Sequence, residues 1–194
     1  PEPEVEGEIV PPEIVSPRSE DPDVLEELDA ARKRGWELIA QGKVAAFVVA
    51  GGQGTRLGYE GPKGCFEATP VAHKPLFRVF AEQIGAASRR ASAPVPWYVM
   101  TSPANDVATR AFFRQHDYFG LPAEDVFFLC QGTMPAITFE GKLLLAEKGR
   151  VAESPNGHGG SLKALDDSGA LADMARRGVE LISYFQVDNP LVQC

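Results

Sequence analysis

The sequence is poor in cysteine and has no long apolar segment. Its three cysteines, Cys65, Cys130 and Cys194, lie far apart among 194 residues, without a CxxC pair or a Cys/His cluster. This spacing argues against a disulfide framework and against a structural zinc site. No apolar run approaches the roughly 20 residues that span a bilayer, and no basic and then apolar leader opens the chain. We therefore expect a cytoplasmic protein with no membrane partner.

Positive charge is also scarce, since 19 Lys and Arg residues face 27 Asp and Glu residues and the formal net charge is −8. Nucleic-acid binding needs clustered cations, so we expect no nucleic-acid partner. The acidity lies at the start: residues 1–30 hold eleven acids and one base, which leaves the remainder with a formal charge of +2. Residues 1–22 also contain six prolines. They predict an extended acidic arm, either an interaction tail or, as we favour, a solvated linker.

The rest of the chain alternates between helix-like and strand-like segments. Residues 23–42 predict a first helix, with Asp21 as its N-cap and Gly42 as its stop signal. Further helices are expected where apolar residues recur at helical spacing, and buried strands where apolar runs lack alternation. The expected strands are 44–49, 95–100, 126–129 and 179–187, the helices are 75–90, 102–117, 161–167 and 170–177, and a hairpin is expected around residues 140–141.

This order of elements predicts an α/β domain over residues 43–194, with a mainly parallel sheet flanked by helices. On the helix expected at 102–117, we expect Val107, Ala111 and Phe112 to face the core. Ligands of such sheets bind where loops gather at the carboxyl ends of the strands. The chain stops at Cys194, soon after the last expected strand, so we expect a domain truncated at its C-terminus.

A glycine-rich loop follows the first expected strand, over residues 50–64. Glycines here let the backbone turn sharply and bring its N–H groups close to a phosphate. The loop lacks the Gly-Lys-Ser/Thr ending of a P-loop, and Leu57 stands where the dinucleotide fingerprint needs its third glycine. Arg56 and Lys63 could stabilise the charge on a polyphosphate under attack. The alternative is a surface turn with two solvated cations.

Four motifs follow one another along the chain: GGQGTRLG with PKG at residues 51–58 and 62–64, QGTMPAI at 131–137, SPNGHGG at 154–160, and VDNPLV at 187–192. Together they resemble the motifs of nucleotide-sugar pyrophosphorylases, in particular the eukaryotic-type UDP-sugar group. That group includes UDP-N-acetylglucosamine and UDP-glucose pyrophosphorylases. The resemblance implies a Rossmann-like fold of the nucleotide-diphospho-sugar transferase type, of which this chain is the N-terminal part.

The resemblance also implies a reaction, in which UTP and a sugar 1-phosphate give a UDP-sugar and pyrophosphate with Mg²⁺ as cofactor. Catalysis of this kind rests on positioning and charge neutralisation. By resemblance, Gly54, Thr55 and Arg56 hold the leaving phosphates, Lys63 contacts the α-phosphate and Asp188 ligates Mg²⁺. A lone Asp at the end of a strand is otherwise a cap or turn residue.

The nucleotide-binding residues implied by the resemblance are Gly51, Gly52, Gly54, Thr55, Gln131, Gly157 and His158. Gln131 is expected to read the uracil edge with its amide, the alternative being a hydrogen bond to nearby backbone. His158 lies in a Gly-His-Gly loop typical of the UDP-glucose branch, whereas residues 131–136 resemble the N-acetylhexosamine branch. The sugar 1-phosphate therefore stays open between N-acetylglucosamine and glucose.

Two other function classes compete with the uridylyltransferase. One is a non-catalytic nucleotide-binding or interaction module, with the chain as an inactive fragment. Retention of Arg56, Lys63 and Asp188 favours the enzyme over this module. The other is a dinucleotide-dependent oxidoreductase, which is disfavoured by Leu57 and by the absence of an acid after the second expected strand.

Overall fold

The structure is a computed structural model that describes residues 7, 10–12, 14, 16 and 18–192. Half of the expected acidic arm, and Cys194, thus lie outside the described residues. By its contacts the chain divides into two compact units, Pro1–Trp36 and Glu37–Cys194. No described helix is both long and apolar enough to cross a membrane.

Five helices and eight strands make up the described part of the chain. The helices are α1 Pro22–Ala40, α2 Leu76–Ala91, α3 Asp106–Gln115, α4 Gly159–Asp167 and α5 Ala170–Arg177. The strands are β1 Val44–Val49, β2 Trp97–Thr101, β3 Val126–Cys130, β4 Thr133–Pro135, β5 Leu145–Glu147, β6 Arg150–Val151, β7 Glu153–Pro155 and β8 Leu181–Gln186.

Helix α1 has the predicted signals at both ends. The Asp21 carboxylate accepts a hydrogen bond from the Asp23 N–H at 3.0 Å, which confirms the N-cap. Gly42 adopts φ +70° and its N–H donates to the Ile39 carbonyl, so a left-handed residue ends the helix as expected. No residue of α1 is buried.

The main sheet has four parallel strands in the order β3-β2-β1-β8. Helices α2 and α3 contribute Phe77, Phe80 and Phe113 to an apolar cluster on one face, and α4 and α5 contribute Leu165 and Met174 to a cluster on the other. The predicted α/β architecture, a parallel sheet with helices on both faces, is therefore confirmed. Two small antiparallel pairs, β4-β7 and β5-β6, lie outside this sheet.

Helix α3 differs from its prediction in both start and orientation. It begins at Asp106 instead of residue 102, because Ser102 and Asn105 are engaged by the loop after β1. Its buried residues are Thr109 and Phe113, whereas Val107 is 81% exposed. The expectation that Val107 and Ala111 face the core is wrong, because the buried face of α3 is the one that carries Thr109 and Phe113. Phe112 is half-buried and packs against the core cluster, as expected.

Strand β8 also differs, because it is an edge strand among the described residues. Only Phe185 of its six residues is buried, and Leu181, Ile182 and Tyr184 are each more than 40% exposed. The expected fully buried strand is thus wrong. In the segment around residues 140–141, Gly141 adopts φ +78° in the predicted turn. Pairing beside that turn is limited to a single bridge between Ile137 and Leu143.

Candidate functional site

The candidate site lies at the carboxyl ends of β1 and β8. From β1 the chain crosses to β2 on one side, while β8 pairs with β1 on the other side. The loops that follow β1 and β8 therefore diverge, and such a point in a parallel sheet leaves a crevice. A cavity of about 270 Å³ occupies this crevice and is lined by Val49, Gly51, Gly52, Lys63, Gln131, Pro155, Gly157, His158, Gln186, Val187 and Asp188.

Two buried polar side chains shape the loop after β1. The Asn105 amide donates to the Ala50 carbonyl at 2.9 Å and to the Gly52 carbonyl at 3.3 Å. The Ser102 hydroxyl donates to the Gly51 carbonyl at 2.8 Å. Because the carbonyls turn toward α3, no described acceptor pairs with the peptide N–H groups of Gly51 and Gly52. These donors are available to an anion or to a carbonyl in the cavity.

Lys63 and Asp188 meet at the cavity from opposite loops. The Lys63 Nζ lies 3.0 Å from the Asp188 Oδ2 and is mostly buried, while the carboxylate is half exposed. The hydrogen bond from Lys63 lowers the pKa of Asp188 below its ordinary range. Asp188 is therefore a carboxylate near neutral pH, as a metal ligand must be.

Gln131 is 7% exposed and continues β3 toward the cavity. Its side-chain nitrogen donates to the Gly157 carbonyl at 3.0 Å and to the Asn156 side-chain oxygen at 3.3 Å. A Cβ added to Gly51 would lie 3.1 Å from the Gln131 Oε1. Gln131 thus does bond nearby backbone, and it also lines the cavity.

His158 begins the turn into α4 and lines the same cavity. Its Nδ1 lies 2.6 Å from the hydroxyl oxygen of Tyr184 on β8. Burial raises the pKa of Tyr184, so the hydroxyl keeps its proton and can donate to the imidazole. The pair links the SPNGHGG segment, residues 154–160, to the edge strand β8.

Gly54, Thr55 and Arg56 do not line the cavity. The Gly54 N–H donates to the Gly61 carbonyl at 2.8 Å, and a Cβ on Gly54 would press against the ring of Tyr59. Thr55 and Arg56 are exposed in a short helical turn. Their assignment to the leaving phosphates stays a prediction.

Four residues that contribute to the site were not singled out from the sequence: Ser102, Asn105, Asn156 and Tyr184. The first two face backbone carbonyls some fifty residues away, which no local pattern reveals. Asn156 stands inside the SPNGHGG motif, so the motif itself was a signal for it. For Tyr184, no motif or spacing in the sequence gave a signal.

The chain is similar in sequence to known proteins over most of its length. A sequence model of the family described as "UTP--glucose-1-phosphate uridylyltransferase" matches residues 4–194. The chain is 40% identical over 179 residues to UDP-N-acetylglucosamine diphosphorylase 1 of Arabidopsis thaliana, covering 87% of this chain and 35% of that protein. It is 39% identical over 161 residues to the UDP-N-acetylglucosamine pyrophosphorylase of Saccharomyces cerevisiae, covering 81% and 34% respectively.

A solved structure supports the same relationship. The uridine diphosphate N-acetylglucosamine pyrophosphorylase of Trypanosoma brucei, crystallised with an inhibitor, superposes with a TM-score of 0.79 at 29% identity, over 89% of this chain and 38% of that one. The chain spans about a third of the length of the curated relatives it matches. With a family match over nearly its full length, the chain belongs to the UTP–glucose-1-phosphate uridylyltransferase family.

Proposed function

We propose that this chain forms the nucleotide-binding part of a uridylyltransferase that makes a UDP-sugar and pyrophosphate from UTP and a sugar 1-phosphate. The observation that carries the proposal is the meeting of Lys63 and Asp188 over a cavity walled by the unpaired N–H groups of Gly51 and Gly52. A cation, a carboxylate and free peptide donors together suit a polyphosphate bound with a divalent metal.

The chemistry requires no covalent intermediate. An oxygen of the sugar phosphate attacks the α-phosphorus of UTP, and the bond from this phosphorus to the β-phosphate oxygen breaks to release pyrophosphate. Lys63 neutralises charge on the α-phosphate, and Gly51 and Gly52 position the nucleoside through their N–H groups. Arg56, on the exposed turn beside the cavity, neutralises the leaving phosphates, and Gly54 and Thr55 hold that turn.

The residues present fit a magnesium ion held largely by the nucleotide. No group of three or more His, Cys, Asp or Glu side chains that could hold a metal occurs among the described residues, so a cage built by the protein alone is not offered there. Mg²⁺ needs only one or two carboxylates together with phosphate oxygens, and Asp188 supplies one. When bound, the ion would supply neutralisation of phosphate charge. Asp188 would then give up its ion pair with Lys63 to hold the metal, which would free Lys63 to contact the α-phosphate.

For the sugar, we propose N-acetylglucosamine 1-phosphate ahead of glucose 1-phosphate. The two curated relatives at about 40% identity are named for UDP-N-acetylglucosamine. His158 lines the cavity beside Gly157 and is the side chain that we place nearest the sugar phosphate. We place the reaction in the cytoplasm, in keeping with the free thiols of Cys65 and Cys130.

The direct test is an assay of uridylyl transfer and nucleotide binding on the purified chain. We expect binding of UTP in preference to ATP, and release of pyrophosphate when N-acetylglucosamine 1-phosphate is added. Lys63→Ala should abolish both with the fold intact. Lys163→Ala is the matched control, since that lysine pairs only with Asp167 on the surface of α4.

The outcomes separate the enzyme from the binding module. Preference for ATP, or unchanged transfer in Lys63→Ala, contradicts the proposal. Tight UTP binding without pyrophosphate release supports the non-catalytic nucleotide-binding module instead. Faster release with glucose 1-phosphate than with N-acetylglucosamine 1-phosphate would overturn only the choice of sugar.

A further inference from the structure

The amide of Gln131 has both of its donor hydrogens in use. One is donated to the backbone carbonyl of Gly157 at 3.0 Å and the other to the side-chain oxygen of Asn156 at 3.3 Å. A backbone carbonyl can only accept, so the group facing Gly157 must be the NH₂. The amide oxygen therefore points the other way, beside Gly51 in the wall of the cavity. Within the described residues, no side chain or peptide N–H donates to that oxygen.

Asn156 is itself tightly seated. Its backbone N–H donates to the Gly132 carbonyl at 3.2 Å. A Cβ on Gly132 would lie 2.9 Å from the Asn156 Nδ2, and a Cβ on Gly160 would overlap the Asn156 side chain. Two glycines thus enclose the Asn156 side chain in one position. Glycine is required at positions 132 and 160 because the Asn156 side chain lies so close to the backbone there; neither residue has a positive φ.

We propose that Asn156 is a positioning residue that fixes the Gln131 amide with its oxygen toward the cavity, so that the site accepts uracil and rejects cytosine. The inference rests on the proposed function and adds to it the residue that holds the base-reading amide in place. Uracil presents a ring N–H that can donate to this oxygen, whereas the corresponding nitrogen of cytosine carries a lone pair. An acceptor that faces an acceptor leaves two buried polar groups unsatisfied. The same edge suits any base with a ring N–H, so the discrimination concerns uracil against cytosine.

The rigidity of the amide is what makes the discrimination possible. A glutamine free to rotate by half a turn can offer its NH₂ to cytosine as readily as its oxygen to uracil. With Asn156 and Gly157 both accepting, rotation would break two hydrogen bonds and place the amide oxygen against two other oxygens. Without Asn156, only the hydrogen bond to Gly157 opposes rotation of the amide, and the NH₂ can turn toward the cavity at a lower cost.

The test compares dissociation constants for UTP and CTP, measured by calorimetry on the chain and on four variants. Asn156→Ala removes the acceptor. Gly160→Ala keeps Asn156 but displaces its side chain, because the added Cβ would overlap it. Both should lower the preference for UTP over CTP by about 5- to 10-fold, the equivalent of one net hydrogen bond. Asn156→Asp keeps an acceptor oxygen and should keep the preference, even if its charge weakens both nucleotides. Gly159→Ala, which meets nothing within 4 Å, is the matched control.

The ratio of the two affinities separates positioning from a merely structural role. Parallel weakening of UTP and CTP in Asn156→Ala and Gly160→Ala overturns the inference, as does an unchanged ratio in both. Loss of the preference in Asn156→Asp also overturns it. If the unchanged chain binds UTP and CTP equally, the inference fails while the proposed nucleotide site stands. If it binds neither, the proposed function fails as well.

Discussion

Replacing Gly64 by alanine should both destabilise the chain and displace Lys63. Gly64 follows Lys63 in a short helical turn, and a Cβ there would overlap the ring of Phe77. That ring is fully buried and packs edge-on against Phe113 at 4.9 Å and Trp97 at 6.3 Å between ring centroids. It has no space to retreat, so the loop must move outward and take Lys63 with it.

The magnitude follows from the packing. An added methyl group in a close-packed core costs about 1–3 kcal/mol, and direct overlap with an enclosed ring places Gly64→Ala near 3 kcal/mol. With a urea dependence of about 2 kcal/mol/M, the unfolding midpoint should fall by about 1.5 M. A loss near 3 kcal/mol is a large part of the free energy of unfolding of a typical domain, which is about 5–15 kcal/mol. Equilibrium unfolding in urea, followed by tryptophan fluorescence, measures the shift.

A double variant identifies the ring as the cause. Phe77→Leu alone creates space and destabilises the chain, but combined with Gly64→Ala it should cost at least 1 kcal/mol less than the sum of the two single changes. Gly159→Ala, at an open position of α4, should shift stability by less than about 0.5 kcal/mol. A Gly64→Ala midpoint equal to that of Gly159→Ala would refute the packing argument.

Two further predictions concern Asp173 and Tyr184. Asp173 is 8% exposed and accepts a hydrogen bond from the Tyr98 hydroxyl at 2.7 Å. Asp173→Ala leaves that buried hydroxyl without its acceptor and should cost about 1–3 kcal/mol in urea unfolding, against about 1 kcal/mol for Tyr98→Phe. Burial acts to raise the pKa of Asp173, but its hydrogen bonds with Tyr98, Arg176 and Arg177 outweigh burial and hold that pKa below the ordinary 3.8. The stabilisation should therefore be complete above about pH 5 and be lost as the pH falls through the lower folded value, which urea unfolding of the parent and Asp173→Ala across about pH 2–6 would show. Tyr184→Phe removes the hydroxyl that orients His158, and should lower the rate of transfer several-fold with UTP affinity unchanged. His158→Ala and the double variant should lose the same several-fold in rate, because the two side chains act through one shared interaction.

The fold was predictable where local signals and burial agree. The unbroken apolar run of β1 has the bounds expected from the sequence, because a strand covered on both faces needs no polar alternation. Asp21 and Gly42 mark the ends of a helix by hydrogen bonds within a few residues. In contrast, the start of α3 depends on Asn105, whose amide reaches the carbonyl of Ala50 across the sheet. No window of the sequence contains that interaction.

The site was predictable in its membership more than in its chemistry. Lys63, Gln131, His158 and Asp188 line one cavity together with Gly51, Gly52 and Gly157, because parallel strands bring their carboxyl ends to one edge. Gly54, Thr55 and Arg56 are not part of that lining. Gln131 was expected to read the uracil edge with its amide, yet both amide hydrogens face Gly157 and Asn156. That result depends on the path of a loop 25 residues further along, which side-chain type alone does not predict.

On the proposed function, Lys63 and Asp188 give up their ion pair when UTP binds, Lys63 for phosphate and Asp188 for magnesium. Calorimetric titration of the chain and of Asp188→Asn with UTP, each with and without Mg²⁺, measures this exchange. For the unchanged chain, Mg²⁺ should strengthen UTP binding at least tenfold. In Asp188→Asn this gain should vanish, while UTP without metal should bind at least as tightly as before, since Lys63 is already released. A magnesium gain that survives intact in Asp188→Asn would contradict the account.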